Sequence, residues 1–229
     1  MDSLARLSET ISECRKCDRL VEWREKVALE KRAAYRTQEY WGRGVPGFGD
    51  PNAKVMIIGL APAAHGANRT GRVFTGDRSG DFLFASLFRT GFSNQPSATH
   101  LHDGLALEGA YVTAAVRCAP PANKPTPEER DSCRPFIEKE LELLGEVSVF
   151  VALGQFGYQV AASVLGIRPR PRFGHGVVVP IGVQEGRPPR HLICSFHPSQ
   201  QNTFTGRLTE VMLDEVFLAA RDLAGLKRL

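Results

Sequence analysis

The chain has 229 residues, of which 42% are hydrophobic and 24% are charged, enough apolar material for one large α/β domain. No apolar run reaches the ~18 residues that a membrane-spanning helix needs, and the charged N-terminus lacks the apolar core of a signal peptide. We therefore expect a single domain over residues 1–229, in a cytoplasmic, monomeric protein that does not associate with membranes.

The basic residues are unusual in type rather than in number. The net charge of +4 is too small by itself to identify a nucleic-acid partner. However, 22 of the 29 basic residues are arginine and only seven are lysine. A guanidinium can bind two phosphate oxygens at once, although a GC-rich genome would give the same bias. The composition therefore allows a phosphate-binding function without requiring one.

The N-terminal quarter of the chain predicts two helices and one buried strand. Helical patterns cover residues 3–13 and 18–35, and a C-x2-C segment, residues 14–17, separates them. A loop rich in glycine and proline follows over residues 42–52. Residues 53–60 are mostly apolar and include β-branched side chains, which is typical of a strand that is buried on both faces.

The loop after this strand is unusually long and polar. It reads GLAPAAHGANRTGRVFTGD over residues 59–77, whereas an ordinary strand-to-helix connection needs about two to six residues. Ser79 is predicted to cap the next helix, and Gly91 to end it. The segment 167–190 is predicted to be irregular, apart from a short strand at 177–179. The other predicted strands are 110–118, 148–154 and 191–196. A capping box at 126–129 begins a predicted helix that runs to about residue 144. Another helix follows the strand at 148–154 and runs to residue 164, and the last predicted helix covers 208–226.

Strands that alternate with helices indicate a parallel sheet covered by helices on both faces. The predicted fold is α/β, a three-layer α/β/α domain with a central four-stranded parallel sheet. Ligands of such sheets bind at the carboxyl ends of the strands. Long polar loops follow three of the predicted strands, so we expect a functional cleft formed by His65, Asn68, Arg69, Arg72, Asp77, Asn123, Lys124, His197, Ser199 and Arg207.

Four of the five cysteines form two local pairs. Two residues separate Cys14 from Cys17, and fourteen separate Cys118 from Cys133. Four thiolates on two loops could bind zinc or an iron–sulfur cluster, and the spacing does not distinguish these. Inert buried thiols are the alternative, but charged residues surround the first pair. The remaining Cys194 lies in an apolar stretch and is predicted to be a small buried hydrophobic residue.

Three segments resemble one known family. They are the loop 59–77, RCAPPANKPTPEE over 117–129 and HPSQQNT over 197–203. Together with the cysteines they resemble the iron–sulfur uracil-DNA glycosylases, and most closely the family 5, or type B, enzymes. The resemblance covers nearly the whole chain and implies excision of uracil, and of other deaminated or damaged bases such as hypoxanthine, from DNA. It also implies a [4Fe–4S] cluster held by Cys14, Cys17, Cys118 and Cys133.

The resemblance implies roles for individual side chains. Such an enzyme extrudes its target base from the duplex, and Phe74 matches the residue on which the flipped base stacks. His197 matches the histidine beside the base carbonyl, where a donor stabilises charge on the departing base. Asp77 is the candidate for the sugar side, and Asn123 the candidate for positioning water or a phosphate. Each also has a structural alternative: a loop anchor, a strand cap, a helix cap and a turn residue, respectively.

The residues around the base depart from the pattern of family 4. Leu60 stands where family 4 has a carboxylate, and Ala114 where it has an asparagine that reads the uracil edge. Without a polar group at residue 114, no buried atom is left unpaired when another base enters, which implies broad specificity. The residues expected to contact the base are Gly59, Ala61, Phe74 and Ala114.

Donors for the DNA backbone are expected on the same loops. Gln201 stands where the family often has a leucine wedge, and it could instead hydrogen bond to the widowed base. Considered singly, each charged candidate has the alternative of being an ordinary solvated surface residue. The expected DNA contacts are Arg69, Arg72, Lys124, Ser199, Gln201 and Arg207.

Two other functions fit parts of the sequence. A non-catalytic nucleic-acid-binding module with a four-cysteine metal site would explain the cysteines and arginines, but would not need His197 or Asp77. A nucleotide-binding α/β enzyme could hold phosphate with the glycine-rich loop, but that loop contains neither GxGxxG nor GxxxxGK[ST]. Against these alternatives, the resemblance implies a monofunctional DNA glycosylase of broad specificity, with DNA as its partner.

Overall fold

The computed structural model describes residues 3–182 and 189–227. These residues form three layers, with a mixed β-sheet between two layers of helices. The six strands are β1 (Phe48–Gly49), β2 (Val55–Gly59), β3 (Ala110–Ala114), β4 (Val149–Leu153), β5 (Val178–Ile181) and β6 (Arg190–Ser195).

Eight α-helices and two 3-10 turns complete the described part of the chain. The 3-10 turns are Ala33–Tyr35 and Pro121–Asn123. The helices are α1 (Leu4–Ser12), α2 (Asp18–Glu30), α3 (Ala67–Thr70), α4 (Arg78–Arg89), α5 (Pro127–Leu143), α6 (Gly154–Val164), α7 (Gln200–Phe204) and α8 (Glu210–Leu223).

The sheet has the strand order β1-β3-β2-β4-β6-β5. Its four central strands are parallel, as predicted, but the prediction of a four-stranded sheet is incomplete because β1 and β5 add antiparallel edges. The strand β1 is only two residues long, and a Cβ at Gly49 would stand 2.4 Å from the backbone oxygen of Ala110. A strand of two residues carries no periodic signal, and it lies in a segment rich in glycine and proline, so its sequence indicates a loop.

Successive residues of the central strands point into two different hydrophobic cores. On β2, Val55 and Ile57 pack towards α4 and α8, while Met56 and Ile58 pack towards α5 and α6. Because helices cover both faces, every residue of β2, β3 and β4 is buried. This arrangement explains why these strands appear in the sequence as continuous apolar runs.

Several helix boundaries differ from the sequence prediction. The cap of α4 is Asp77 and not Ser79, because the Asp77 carboxylate accepts a hydrogen bond from the Gly80 amide at 3.0 Å. The capping box at the start of α5 is present as predicted. The helix α2 ends at Glu30, five residues early, and a 3-10 turn follows. The sequence predicts neither α3 nor α7, since four or five residues carry too little periodicity.

The C-terminal third contains the other edge strand. β5 pairs with β6 and alternates between exposed and buried residues, close to the strand predicted at 177–179. Residues 183–188 of the predicted irregular segment lie outside the described residues. Among the described helices, none has the length and apolarity required to cross a bilayer.

Candidate active site

A cavity of about 280 Å³ lies at the carboxyl ends of β2, β3 and β6, where the sequence predicts the cleft. We call it the main cavity. It is formed by all three of the predicted polar loops. The predicted site residues that line it are Ala61, Phe74, Asp77, Ala114, Asn123, His197 and Ser199.

Phe74 forms one wall of the main cavity in an unusual backbone conformation. Its φ of 51° lies in the left-handed region, which costs about 1–2 kcal/mol for a residue other than glycine. Gly59, at the end of β2, lies directly under the ring, and a Cβ there would stand 2.7 Å from the ring atoms Cε2 and Cζ. The predicted contact residue Gly59 therefore acts by making room for the aromatic ring.

His197 lies beside Phe74, and both side chains line the main cavity. The two ring centroids are 5.9 Å apart and their planes are tilted by 35°. The protein around the imidazole lowers the pKa of His197 to about 4, because burial disfavours the charged form. The Asn202 side chain donates a hydrogen bond to the His197 carbonyl oxygen at 2.9 Å. A neutral imidazole, able to donate one hydrogen bond, is thus held beside an aromatic face.

Asp77 combines a helix-capping role with a place in the main cavity. Burial raises the pKa of its carboxyl group, while amide donors of Ser79 and Gly80 partly offset that effect. Gly66 packs so closely that a Cβ on it would stand 1.9 Å from Asp77 Oδ2. Asn123, whose φ is 55°, lines the cavity from the exposed turn Pro121–Asn123. Asp77 thus caps α4 and also lines the main cavity, so a capping role and a catalytic role are compatible at this residue.

A second cavity of about 510 Å³ adjoins the first, and we call it the side cavity. The two share lining residues, including Asp77 and Ser199. The exposed side chains of Arg32 and Arg78 line the side cavity, and no ion pair of either occurs among the described residues. Sequence reasoning missed both arginines. The position of Arg78 directly after Asp77 was an available signal, whereas Arg32 comes from a separate helical region.

Arg69 and Arg72 are not placed as predicted. The Arg72 guanidinium is buried and forms an ion pair with Asp103 at 2.6 Å. Arg69 is also buried, and its guanidinium donates hydrogen bonds to Gln38 Oε1 and to two backbone oxygens. Because their donors are used inside the protein, neither arginine is available to DNA phosphates in this conformation.

The remaining predicted DNA contacts lie near the cavities. Ser199 caps α7, and the exposed Gln201 lines the side cavity. Lys124 is exposed after Asn123. Arg207 is exposed, and its guanidinium carbon lies 4.6 Å from the ring centroid of Phe196. These positions leave all four side chains at or near the surface around the site.

The four paired cysteines are neighbours in space. Cys17, Cys118 and Cys133 share one apolar cluster. Cys14 lies close enough to contribute to the raised pKa of each of these three thiols. Within residues 3–182 and 189–227, no three Cys, His, Asp or Glu side chains form a metal-binding group as they stand. Cys194 is fully buried in a different core, on β6, as predicted.

A buried arginine adjoins the cysteines. Arg24 is 1% exposed, and its guanidinium donates to Cys118 Sγ and to the Cys14 carbonyl oxygen, both at 2.9 Å. Its Nε has no hydrogen-bond partner, and no carboxylate pairs with it among the described residues. The Glu25 carboxylate interacts electrostatically with Arg24 but forms no ion pair with it, and a buried cation without a paired anion is unfavourable. This environment fits an anionic set of cysteine thiolates, as in a zinc or iron–sulfur site.

A family comparison identifies the group to which this architecture belongs. The model of the Uracil DNA glycosylase superfamily matches residues 46–221, which include all residues that line the main cavity. The chain belongs to the uracil-DNA glycosylase superfamily. The matched residues include all three of the conspicuous loops, and the superfamily that the sequence motifs predicted is confirmed.

Comparison with individual relatives shows which type of enzyme within the superfamily the chain most resembles. A Type-5 uracil-DNA glycosylase from Mycobacterium tuberculosis is 52% identical over 98% of this chain and 83% of its own length. One from Thermus thermophilus is 51% identical over 95% of this chain and 97% of its own. A Type-4 uracil-DNA glycosylase from Archaeoglobus fulgidus is 29% identical over 69% of this chain and 63% of its own length. The predicted type-5 relationship is thus confirmed.

Proposed function

We propose that this protein is a DNA glycosylase that hydrolyses the N-glycosidic bond of uracil in DNA and leaves an abasic site. The main cavity carries this proposal, because it combines an aromatic wall at Phe74, a neutral donor at His197 and a half-buried carboxylate at Asp77. The relatives named Type-5 uracil-DNA glycosylase support the same activity.

The chemistry of the reaction assigns a task to each of these groups. The target base must leave the duplex to reach the cavity, where it stacks on Phe74. As the bond breaks, negative charge develops on the base and positive charge on the sugar. His197 donates a hydrogen bond to the base oxygen, which stabilises the transition state most strongly where water is excluded. The neutral imidazole retains one N–H group and can therefore donate this hydrogen bond.

Asp77 serves the sugar side of the bond. Its carboxylate stabilises the positive charge and accepts a proton from the attacking water. A raised pKa makes a carboxylate a better general base, since catalysis improves as the pKa approaches the working pH. Asn123, at the edge of both cavities, holds that water or the adjacent phosphate. None of the described residues lining the main cavity is a lysine, the residue type that would link covalently to the opened sugar, so we propose a monofunctional enzyme.

The flanking phosphates of the flipped nucleotide bind in the side cavity. Arg32 and Arg78 supply the charge there, in place of the buried Arg69 and Arg72. The side cavity joins the main cavity at Asp77, so a nucleotide can place its base in one and its sugar-phosphate in the other. Lys124 and Arg207 extend the basic surface beside these cavities.

The base specificity is proposed to be broad. Ala114 lines the main cavity and offers no polar side-chain atom that a non-uracil base would leave unpaired. Selection then depends on ease of flipping and on the leaving base, which favours deaminated purines such as hypoxanthine as well as uracil. Introducing an amide with Ala114→Asn should reduce hypoxanthine release more than uracil release.

The four paired cysteines are proposed to hold a [4Fe–4S] cluster. Their shared location and the unpaired Arg24 support an anionic metal site. Bound there, the cluster would supply a structural crosslink between the connection from α1 to α2 and the segment from β3 to α5. Absorption near roughly 400 nm and iron analysis of the purified protein distinguish the cluster from zinc.

One experiment tests the activity directly. The protein is incubated with oligonucleotides that contain a single uracil or hypoxanthine, and abasic sites are revealed by alkaline cleavage. We expect strand breaks only after alkali, with both bases in duplex DNA. Intact uracil-containing strands after alkali, at enzyme concentrations that bind the DNA, would instead favour a non-catalytic nucleic-acid-binding module.

A further inference from the structure

The imidazole of His175 connects the segment that follows β6 to the helix α8. His175 lies between α6 and β5 and is half-buried. Its Nδ1 is 3.1 Å from the amide nitrogen of Phe196, the residue directly before His197. Its Nε2 is 3.2 Å from the carbonyl oxygen of Met212, in the first turn of α8. His175 therefore links the backbone beside the proposed base donor to a helix of the surrounding core.

The two partners of His175 define its protonation state. A backbone amide can only donate and a backbone carbonyl can only accept, so Nδ1 must be unprotonated and Nε2 must carry the proton. A protonated ring would direct a second N–H group at the Phe196 amide and lose that bond. Burial lowers the pKa of His175, although the Met212 carbonyl and the Glu215 carboxylate partly offset this effect. The neutral ring, in one tautomer, forms the bridge.

The bond to Phe196 extends the hydrogen bonding along one edge of β6. On that edge the Cys194 amide donates to the Val177 carbonyl at 2.9 Å, and the Cys194 carbonyl accepts from the Gly176 amide at 2.8 Å. The amide of Phe196, two residues further along, points to the same edge. There it meets the His175 side chain in place of a backbone carbonyl. His175 thus holds the chain one residue beyond the end of β6.

The position of the His197 ring depends on its backbone. Among the residues that the structure describes, none hydrogen bonds to the ring nitrogens, which leaves them available to the base. The backbone is held on both sides of His197, since His175 accepts from the Phe196 amide and Asn202 donates to the His197 carbonyl. Gly154 packs against the same residue, and a Cβ there would stand 3.1 Å from His197 Cβ. Loss of the bond to His175 would release one of these restraints.

We propose that His175 is a positioning residue for base excision, which holds His197 where its ring can donate to the base oxygen. This inference rests on the proposed glycosylase function and deepens it. His175 does not line the main cavity, so it acts through the Phe196 amide and not by touching the base. A misplacement of about 1 Å can cost about 100-fold in rate. We therefore expect His175 to affect bond cleavage and not DNA binding.

The test measures single-turnover uracil excision at saturating enzyme, together with the Kd for a duplex of the same sequence without uracil. His175→Ala should slow excision about 10- to 100-fold. The Kd should change less than about threefold, because the donor acts mainly in the transition state. Ser86→Ala is the control. It removes a different bond to α8, the 2.6 Å hydrogen bond from Ser86 to Asp214, and should change neither quantity.

Two conservative variants show which half of the bridge matters. The asparagine oxygen is bonded to Cγ, as Nδ1 is in histidine, so His175→Asn keeps an acceptor for the Phe196 amide. It should recover most of the excision rate. The polar atoms of glutamine lie one bond further out, at the position of Nε2. His175→Gln therefore keeps a donor for the Met212 carbonyl and should recover little of the rate.

A double-mutant cycle separates positioning from stability. In a His197→Ala background the donor is absent, so adding His175→Ala should change the excision rate less than about twofold, while thermal melts still show its loss of stability. Additive losses of rate would overturn the proposal. So would a wild-type rate for His175→Ala, or a rate for His175→Asn no better than that of His175→Ala. Absence of excision by the wild-type protein would instead refute the glycosylase function on which the proposal rests.

Discussion

The ring of Phe74 lies against the backbone of Gly59 so closely that no side chain fits between them. Gly59→Ala should therefore displace the ring from the main cavity. A misplacement of about 1 Å can cost about 100-fold in rate, so we expect single-turnover excision to fall by about 10- to 100-fold. Gly145→Ala is the matched control, because a Cβ at residue 145 meets no atom within 4 Å.

A double-mutant cycle separates this effect from general disruption. In a Phe74→Ala background the ring is absent, so adding Gly59→Ala should change the rate little further. Additive losses of rate in the double variant would show that Gly59 acts on the site by some route other than the ring.

The depressed pKa of His197 predicts a pH dependence of stability. Unfolded histidine gains a proton below its ordinary pKa of 6.5, whereas folded His197 stays neutral down to about pH 4. Between these values the unfolded state binds more protons, so the free energy of unfolding decreases as the pH falls. The loss from this one group approaches about 3 kcal/mol at pH 4. Urea unfolding at several pH values should give a flatter profile for His197→Gln than for wild type, and parallel profiles would contradict the assignment.

The contributions of Asp77 and Asn123 to catalysis can be distinguished by substitutions that preserve the local backbone structure at each residue. Asp77→Asn keeps a capping side chain but removes the charge, so stability should change little while the excision rate falls about 10²- to 10⁴-fold. Asn123→Gly tolerates the left-handed φ and should cost less activity. A near-normal rate for Asp77→Asn, with collapse of activity in Asn123→Gly, would assign the catalytic water to Asn123.

The buried and exposed arginines should respond differently to substitution. Arg72→Ala leaves Asp103 buried without its ion-pair partner, so we expect a loss of about 3–5 kcal/mol in the free energy of unfolding. Arg78→Ala should leave stability nearly unchanged and lower the salt dependence of DNA binding by about 0.9 in the log–log slope. Calorimetry and binding titrations at several salt concentrations measure both effects. A reduced salt slope for a folded Arg72→Ala protein would restore that arginine as a phosphate contact.

The proposed cluster predicts that substitutions of Cys118 and Cys194 have different effects on iron content and stability. Cys118→Ala should lose the iron and much of the stability, because metal binding is coupled to folding. Cys194→Ala, in the separate core, should retain the iron and serves as the control. Full iron content in Cys118→Ala would exclude that residue as a ligand.

Arg24 provides an independent check on the charge of that site. Replacing it with methionine removes the cation beside Cys118, so a chelator should extract iron several-fold faster. Lys16→Met removes an exposed cation from the same region, and we expect a much smaller change. Equal extraction rates from the two variants would argue against charge compensation by Arg24.

The amino-acid sequence determined the alternation of strands and helices, the parallel centre of the sheet and the three loops that meet in the main cavity. Those features depend on local signals, such as the apolar runs of β2 and β4, the capping box at Thr126 and the length of the loop over 59–77. The relationship to the type-5 enzymes was also present in the loop sequences alone.

Only the tertiary structure decided which polar side chains face outward. The sequence predicts Arg72 as a phosphate contact and does not identify Arg78, but Arg72 meets Asp103, 31 residues away, and is buried. The exposure of Phe204, the last residue of α7, likewise depends on how α7 packs, since hydrophobicity by itself predicts burial. Such contacts join residues that are distant along the chain, and their free energies depend on the final packing. For that reason local sequence patterns located the site but did not determine its charged rim.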